Sequence, residues 1–206
     1  MRRQAAMTQR AAERMTELLG DLLDTASIEA GRLSASLADH EVVPVLRASV
    51  DMLALTASEK SLTLARDLGG EGVVVRCDWP RVMQVLQNLI GNAIKFTPPG
   101  CRITVRGRVV EGDGPGGAPV LRCSVEDTGP GIAPEQAPYS STATGRPRAP
   151  RALLSSSSRA GAGLGLYIAT GIVDTHGARC AAVSVNGTWA QANIRRICSP
   201  RPRAGK

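Results

Sequence analysis

Two asparagines and one lysine fall on the same face of a predicted helix. Asn88 and Asn92 are four residues apart and Lys95 follows three residues later, and residues at these spacings are neighbours on a helix surface. Two neutral oxygen donors beside a cation suit a phosphate-bound magnesium ion, which takes oxygen ligands and keeps several waters. The same row is also typical of a solvated polar face that ends in a lysine, so this helix alone leaves both interpretations open.

Apolar residues on the opposite face indicate that the helix is anchored in a core. They recur at three- and four-residue steps after an Asp78-Trp79-Pro80 turn, which suits a helix start. The predicted buried stripe comprises Val82, Val85, Leu86, Leu89, Ile90 and Ala93. A helix held in this way would keep its polar row in a fixed direction.

A second group of polar and glycine residues follows a predicted strand. The apolar run over 120–125 leads directly into Asp127, Gly129 and Gly131, which is typical of a strand that ends in a turn. A carboxylate at this position can accept a hydrogen bond from an exocyclic amine, and the glycines let the backbone approach a flat ring closely. Adenine has both features.

The third group is a glycine-rich loop in front of a predicted helix. Gly161, Gly163 and Gly165 precede an apolar run through Ile168 and Ile172. Free backbone N–H groups at such a helix start favour binding of a polyphosphate. A glycine loop alone is more often a simple turn, so its weight comes from the two groups before it.

The three groups, in this order, resemble the ATP-binding domain of sensor histidine kinases. The matching segments are QVLQNLIGNAIKFTPPG at 84–100, VEDTGPGI at 125–132 and GAGLGLYIA at 161–169. Type II topoisomerases, heat-shock chaperones and mismatch-repair ATPases belong to the same superfamily. The resemblance implies an α/β fold, an α+β two-layer sandwich in which a mixed sheet carries helices on one face and a long N-terminal helix precedes it. It also implies ATP and Mg²⁺ as cofactors.

The resemblance gives a role to each matching residue, although it assigns no catalytic residue. Asn92 would ligate the magnesium ion, with Asn88 beside it and Lys95 near the phosphates, and Asp127 would hold the adenine amine. The remaining assignments are Gly129 and Gly131 in the base pocket and Gly163, Leu164 and Gly165 in the lid over the phosphates. Chaperone-like ATPases have a water-activating glutamate where this chain has Asn88. Because an asparagine cannot act as a base, phosphoryl transfer is favoured over hydrolysis.

Three regions are expected along the chain. Residues 1–39 resemble the second helix of a dimerisation and phosphoacceptor hairpin with its connector, and carry an apolar leucine stripe at 18–23. Residues 40–198 are expected to form the ATP-binding domain, with a disordered insert at 137–160, and residues 199–206 a basic tail. Strands are predicted at 42–45, 62–65, 72–76, 103–110 and 120–125, with a weaker sixth at 181–185.

Histidine is scarce, and its two positions shape the expected reaction. His40 is interpreted as a linker residue and His176 as a structural residue near a helix end, and the helix that would carry the phosphoacceptor histidine is expected to be absent. We therefore expect transfer to a histidine on another chain, either an intact histidine kinase or a separate hairpin, and then to a response regulator. The alternative is a truncated or frameshifted module that binds nucleotide or a partner kinase without catalysis.

The sequence departs from the histidine kinase pattern between the second group, at 125–132, and the third, at 161–169. A phenylalanine-containing box is expected there, but the chain has a Ser-, Pro- and Arg-rich stretch that is typical of disorder. The codons TCT TCG ACC GCT ACT GGC AGG are one encoding of residues 140–146, and read two bases later they give Phe-Asp-Arg-Tyr-Trp-Gln, the expected box. We hypothesise that a segment from 138 to about 158 is translated out of frame, which genomic reads across codons 136–206 would test. The C-terminal strand also looks degenerate, and its loss would leave a sheet edge unpaired.

Charge is distributed unevenly along the chain. Residues 1–135 hold 15 Lys or Arg against 17 Asp or Glu, whereas residues 136–206 hold 10 against 1, so the net charge of +7 comes from the last third. A basic arm can bind nucleic acid or an anionic membrane, which is a remote alternative function. No recognition motif accompanies the arm, and we expect no specific nucleic-acid partner.

Hydropathy and cysteine usage indicate the compartment. No apolar run is long enough to span a bilayer. The five cysteines are widely separated, as in proteins that keep free thiols in a reducing environment. A cytoplasmic location without a membrane span is therefore expected.

Overall fold

The computed structural model describes residues 2–110, 120–129, 164–176, 179–181 and 188–194. The helices in these ranges are α1 (Arg2–Glu29), α2 (Val42–Glu59), α3 (Trp79–Phe96) and α4 (Leu164–Thr175). The strands are β1 (Ala38–Glu41), β2 (Thr63–Leu68), β3 (Val74–Cys77), β4 (Arg102–Val110), β5 (Val120–Asp127), β6 (Arg179–Ala181) and β7 (Thr188–Ile194).

Five of these strands form a mixed sheet in the order β2-β4-β5-β7-β6. Strands β2 and β4 run parallel, and every other neighbouring pair is antiparallel. Strands β1 and β3 form a separate antiparallel pair. Helices α2, α3 and α4 share one apolar core with the larger sheet. The predicted α/β sandwich, with a mixed sheet and helices on one face, is confirmed.

Alternation along β4 separates the core from the opposite face of the sheet. Ile103 is fully buried under the helices, whereas Arg106 lies on the other face and forms an ion pair with Asp67 of β2. Gly107 faces the core, where a Cβ would lie 2.2 Å from Leu46 Cδ1. Glycine at this position therefore lets α2 pack closely on the sheet.

Helix α3 has a defined start and a defined end. Asp78 caps its start, because Asp78 Oδ1 accepts a hydrogen bond from the Arg81 backbone N–H at 3.2 Å. At its end, Lys60 Nζ donates to the carbonyl oxygens of Ile94 at 2.6 Å and Lys95 at 2.7 Å, which have no partner within the helix. The six residues predicted for the buried stripe are all buried, so the polar row faces away from this core.

Helix α1 confirms the predicted long N-terminal helix. The predicted leucine stripe is 45 to 69% exposed, at Leu18, Leu19, Leu22 and Leu23. Directly after this stripe, Asp24 is buried and accepts hydrogen bonds from Arg81 Nη1 at 2.7 Å and Gln84 Nε2 at 2.6 Å. The end of α1 is thus fixed on α3, while the leucine stripe is not covered by the described residues.

The strand predicted at 42–45 is wrong. These residues form the first turn of α2, and the neighbouring strand β1 lies at Ala38–Glu41. Valines around Pro44 suggest extended backbone, but proline is tolerated in the first turn of a helix, where N–H groups have no intrahelical partner. Glu41 provides no side-chain cap, so the start of α2 has no signal in the sequence.

The C-terminal edge of the sheet differs from the expectation that its last strand is lost. Strand β7 pairs antiparallel with β5, from Leu121 opposite Ile194 to Glu126 opposite Thr188, and β6 pairs with the other side of β7. The weaker strand predicted at 181–185 corresponds to β6, which is shorter and begins earlier. Ladder hydrogen bonds join backbone groups, so a polar segment such as TWAQANI can still pair.

Several predictions fall on residues outside the described ranges. They are the insert at 137–160, the proposed out-of-frame segment, the tail at 199–206, Gly131 and Gly163. Among the helices that are described, none is both long and apolar enough to cross a membrane.

Candidate nucleotide-binding site

The polar row of α3 meets the start of α4. Asn88 and Asn92 are half-buried, and a Cβ at Gly165 would lie 3.0 Å from Asn88 Oδ1 and 3.2 Å from its Cγ. A side chain at this position would therefore push the Asn88 side chain aside by a few tenths of an ångström. Asn88 and the pair Leu164–Gly165 come from separate segments that the sequence assigned to one site, and the structure brings them together.

The start of α4 offers donors to an anion. The first N–H groups of a helix lack intrahelical acceptors, and the helix dipole is positive at this end. Beside it, Asn88 Nδ2 is buried and has no hydrogen-bond partner among the described residues. A ligand with phosphate oxygens would supply acceptors to both.

Lys95 lies at the exposed end of the same row. Its ammonium group lies 5.0 Å from the ring centroid of Phe96. A cation–π contact at an exposed site contributes only about 0.5–1 kcal/mol, so the side chain can turn toward a phosphate at small cost. Its position near the phosphates stays a prediction.

Asp127 ends β5 in a buried position. Its side chain is 5% exposed, and its Oδ1 accepts a hydrogen bond from the Gly129 backbone N–H at 2.7 Å. A Cβ at Gly129 would lie 2.6 Å from that same oxygen and 3.5 Å from Pro98 Cδ. Glycine is therefore needed for the turn that orients the carboxylate, and the role of Gly129 in a base pocket stays a prediction.

The loop that carries Gly129 is tied to the start of β4. The backbone N–H of Thr128 donates to the Arg102 carbonyl oxygen at 3.0 Å, and the Arg102 N–H donates to Thr128 Oγ1 at 3.1 Å. These two bonds continue the β4–β5 ladder past the end of the strand. They hold Asp127 in place before any ligand contacts it.

Thr97 is the neighbour of Asp127 that the sequence did not reveal. It is fully buried at the end of α3, and its backbone N–H donates to the Ala93 carbonyl at 2.9 Å. Neither Thr97 Oγ1 nor Asp127 Oδ2 has a hydrogen-bond partner in the described structure. A threonine after a helix has no chemical signature of its own, so only its burial identifies it.

The electrostatics of Asp127 follow from this environment. Burial raises the pKa of its carboxyl group above 3.8, and the Gly129 amide and the nearby Thr97 hydroxyl oppose the shift. The hydroxyl is thus close to the carboxylate without meeting the geometry of a full hydrogen bond. Oδ2 remains available as an acceptor for an amine.

The oxygen ligands on α3 suit magnesium only when the ion is bound together with a nucleotide. Amide oxygens of Asn88 and Asn92 are hard but neutral ligands, and Mg²⁺ is usually held by one or two protein groups together with phosphates and waters. No cluster of three acidic, histidine or cysteine residues in the described ranges could hold a metal ion. The residues present are therefore compatible with magnesium that is bound through phosphates.

His176 lies in the core and not at this site. It is 4% exposed, its Nε2 accepts the Asp78 backbone N–H at 3.0 Å, and its Nδ1 lies 2.8 Å from the Ile172 carbonyl oxygen. The ring therefore carries its proton on Nδ1 and links α4 to the start of α3. Asp78 in turn accepts the Ser36 N–H at 2.8 Å, so the structural interpretation of this histidine is confirmed.

A family model and many known proteins match this chain. Residues 77–197 match the model described as histidine kinase-, DNA gyrase B- and HSP90-like ATPase. The sensor protein DivL of Caulobacter vibrioides is 30% identical over 177 residues, which are 85% of this chain and 21% of that protein. The sensor histidine kinase TrcS of Mycobacterium tuberculosis is 34% identical over 176 residues, 85% of this chain and 33% of that protein. The chain thus spans between about a fifth and a third of these relatives.

Solved structures show the same fold. Full-length ShkA in complex with AMPPNP superposes with a TM-score of 0.72 at 24% identity, over 93% of this chain and 38% of that one. The Acinetobacter baumannii histidine kinase AdeS gives a TM-score of 0.65 at 22% identity, over 92% of this chain and 81% of that one.

Proposed function

Because the chain belongs to the family of histidine kinase-, DNA gyrase B- and HSP90-like ATPases, we propose that it presents magnesium-bound ATP for phosphoryl transfer to a histidine on another chain. It would do so as the ATP-binding domain of a sensor histidine kinase in a two-component system. The receiving histidine would belong to an intact kinase or to a separate phosphoacceptor hairpin, and a response regulator would accept the phosphoryl group next. The proposal places the domain in the cytoplasm, where ATP and reduced thiols are found.

One observation supports placing the nucleotide at this particular site. In the described part of the chain, three buried side-chain polar atoms lack a hydrogen-bond partner: Asn88 Nδ2, Thr97 Oγ1 and Asp127 Oδ2. A buried unpaired polar atom costs about 1–3 kcal/mol, and native proteins keep few of them. Asn88 belongs to the predicted phosphate end and Asp127 to the predicted base end, and Thr97 lies beside Asp127, which supports a polar ligand that spans both ends.

At the base end, Asp127 Oδ2 would accept a hydrogen bond from the adenine amine. The bond from Gly129 to Oδ1 fixes the carboxylate, and the missing side chain at Gly129 leaves room for a flat ring. Gly131, which lies outside the described residues, is proposed to complete this wall. The pocket would thus recognise adenine by one hydrogen bond and by shape.

At the phosphate end, Asn92 would ligate magnesium when the ion is bound with the nucleotide. The ion would neutralise phosphate charge, and Asn88, Lys95 and the start of α4 would position the phosphate oxygens. Leu164 and Gly165 begin that helix, and Gly163 is proposed to join them in the lid. No carboxylate occupies the position of Asn88, so the site would orient a phosphoryl group rather than activate water.

The histidines of the chain do not compete as acceptors. Both ring nitrogens of His176 are engaged with backbone groups in the core. His40 is half-buried on β1, with its ring centroid 6.3 Å from that of Trp79. These environments support transfer to a second chain.

The exposed leucine stripe of α1 favours a second candidate function. Apolar side chains at 18–23 are uncovered by the described residues, as expected of a helix that packs on a partner. A module that binds nucleotide and pairs with an intact kinase, without catalysis, would need this surface and the pocket but no acceptor.

Nucleotide titration followed by a transfer assay tests the proposal. The full chain is titrated with a fluorescent non-hydrolysable ATP analogue, with and without magnesium, and Asp127→Ala is the control. We expect saturable, magnesium-dependent binding that the control loses, and then transfer from [γ-³²P]ATP to an added phosphoacceptor hairpin. Binding without transfer would favour the non-catalytic module, and absence of binding in the folded chain would refute both.

A further inference from the structure

A surface groove of about 480 Å³ lies between the first half of α2 and the turn that joins β2 to β3. Val43, Pro44 and Ala48 of α2 form the apolar part of its lining. The Val42 N–H donates to the Val73 carbonyl oxygen at 3.0 Å, which ties the start of α2 to the turn and fixes the shape of the groove. Pockets of about 300–1,000 Å³ bind ligands, so this groove is large enough for several residues of an extended peptide.

Charged side chains make the rim of this groove acidic. Glu41, Asp51 and Glu71 contribute three carboxylates to the lining, and Arg47 contributes one cation. Asp51 also forms an ion pair with Arg66 at 2.7 Å, but its side chain stays 60% exposed, so the carboxylate is accessible to a second cation. An acidic rim beside an apolar lining favours a basic peptide over an acidic one.

The chain contains a matching segment directly after β7. Residues 195–206, called the basic segment below, hold five Arg or Lys and no Asp or Glu, and they lie outside the described residues. Pro200 and Pro202 restrict its backbone, which lowers the entropy lost on docking. Arg201 and Arg203 are two residues apart, so their side chains would point to the same side of an extended segment, and arginine stems also cover apolar surface.

The strand register shows that the basic segment starts close enough to reach the groove. Val109 of β4, Leu121 of β5 and Ile194 of β7 lie opposite one another on three neighbouring strands. Neighbouring strands are about 4.8 Å apart, so the end of β7 lies about 10 Å from Val109. Val109 adjoins the turn that borders the groove, because a Cβ at Gly70 would lie 3.3 Å from Val109 Cγ2. Twelve extended residues span about 40 Å, which is more than this path requires.

We propose that the groove is an intramolecular docking site for the basic segment, in which Arg201 and Arg203 meet the carboxylates of Glu71 and Asp51. Docking would neutralise the segment and withhold it from anionic surfaces. The groove lies at the end of the sheet that is opposite Asp127, since Asp127 pairs with Ile103 at the far end of β4. The inference is therefore independent of the proposed nucleotide function and is tested without nucleotide.

Limited proteolysis of the full chain measures docking. An arginine-specific endoproteinase is used at low ionic strength, and intact-mass spectra give the rates of the cuts after Arg196 and after Arg203. A synthetic peptide with the sequence of the basic segment gives the rates for an undocked segment. We expect the full chain to be cut about 3- to 10-fold more slowly than the peptide, the range that one or two exposed ion pairs supply. High salt should remove this protection, because it screens exposed charges.

Charge reversal tests whether the groove is the docking site. Glu71→Lys places a cation on the rim and should raise the cutting rates toward those of the peptide, and the new lysine is not a site for this protease. Glu59→Lys is the matched control, with the same change of charge at the far, exposed end of α2, and should be cut like wild type. Arg201→Glu should also lose protection, and combining it with Glu71→Lys should restore part of it. Circular dichroism confirms that each variant is folded.

Each remaining outcome overturns the inference. A wild-type chain that is cut as fast as the peptide refutes docking without any variant. Equal rates for Glu71→Lys and wild type, or for Glu71→Lys and Glu59→Lys, refute the groove as the site. Protection that increases with protein concentration assigns the segment to a second copy of the chain and refutes intramolecular docking. Nucleotide binding is unaffected by any of these results, so the two proposals fail separately.

Discussion

Replacement of His176 by phenylalanine should destabilise the domain by a predictable amount. The ring is 4% exposed, and its Nε2 is the acceptor for the Asp78 N–H at 3.0 Å. Phenylalanine fills a similar volume but accepts no hydrogen bond, which leaves a buried backbone donor unpaired and removes the Nδ1 bond to Ile172. An unpaired buried donor costs about 1–3 kcal/mol. Each kcal/mol lowers Tm by about 2–4 °C for a chain of this size.

Urea and thermal unfolding, followed by circular dichroism, measure the effect directly. His176→Gln is the matched control, because its side-chain oxygen can accept from the Asp78 N–H and should recover part of the loss. Transfer from ATP to an added hairpin should persist in His176→Phe once the folded fraction is taken into account. Equal stability of wild type and His176→Phe would refute the stabilising role of the His176 hydrogen bonds. Loss of transfer from fully folded His176→Phe would refute the assignment of His176 as purely structural.

The other predictions concern the site and its supporting helix. Asn92→Ala should abolish the magnesium-dependent part of nucleotide binding, measured as the ratio of affinities with and without the ion; an unchanged ratio would remove Asn92 from the metal site. Gly165→Ala should weaken nucleotide binding, because its Cβ would lie 3.0 Å from Asn88 Oδ1, whereas Gly91→Ala on α3 meets nothing within 4 Å and should bind normally; equal binding by both would contradict the helix contact. Leu89→Ala, at 1% exposure, should lower the free energy of unfolding by about 2–5 kcal/mol, and a smaller loss in urea titration would argue against the packed core. Burial raises the pKa of Asp127 above 3.8 in the folded chain, so its ionisation costs stability as pH rises from 3.8 through the raised pKa. Asp127→Asn should therefore unfold at higher temperature than wild type at pH 7, and the two should converge as pH falls below 3.8. A difference in unfolding temperature that does not change with pH would contradict this origin.

The sequence predicts those parts of the fold whose signals are local. The stripe on α3 is legible because its apolar residues follow helical spacing and all pack into one core. The site can be assembled from three short segments because each has an unusual composition. Helix α2 is not predicted, since its apolar start reads equally well as a strand and has no side-chain cap.

Other parts depend on contacts between distant residues. Strand β7 forms because β5 offers it a backbone ladder, and its own composition gives no hint of this. Thr97 shows the same limit within the site. Thr97 matters because it is buried next to Asp127, which lies 30 positions away along the chain. The sequence does not show which threonine will meet that carboxylate in the fold.

The unpaired atoms of the site also explain how a ligand would act on the whole domain. Asn88 Nδ2 lies in the middle of α3, Thr97 Oγ1 lies just after the end of that helix, and Asp127 Oδ2 lies at the end of β5. Each is costly in the fold alone, so selection for stability would replace them with apolar groups. A nucleotide that satisfies all three would stabilise the domain by about 2.7 kcal/mol in total at a concentration one hundred times its Kd. The same binding would join the start of α4 to α3 and to β5, so ligand-induced stabilisation should be lost together with base recognition when Asp127 is replaced.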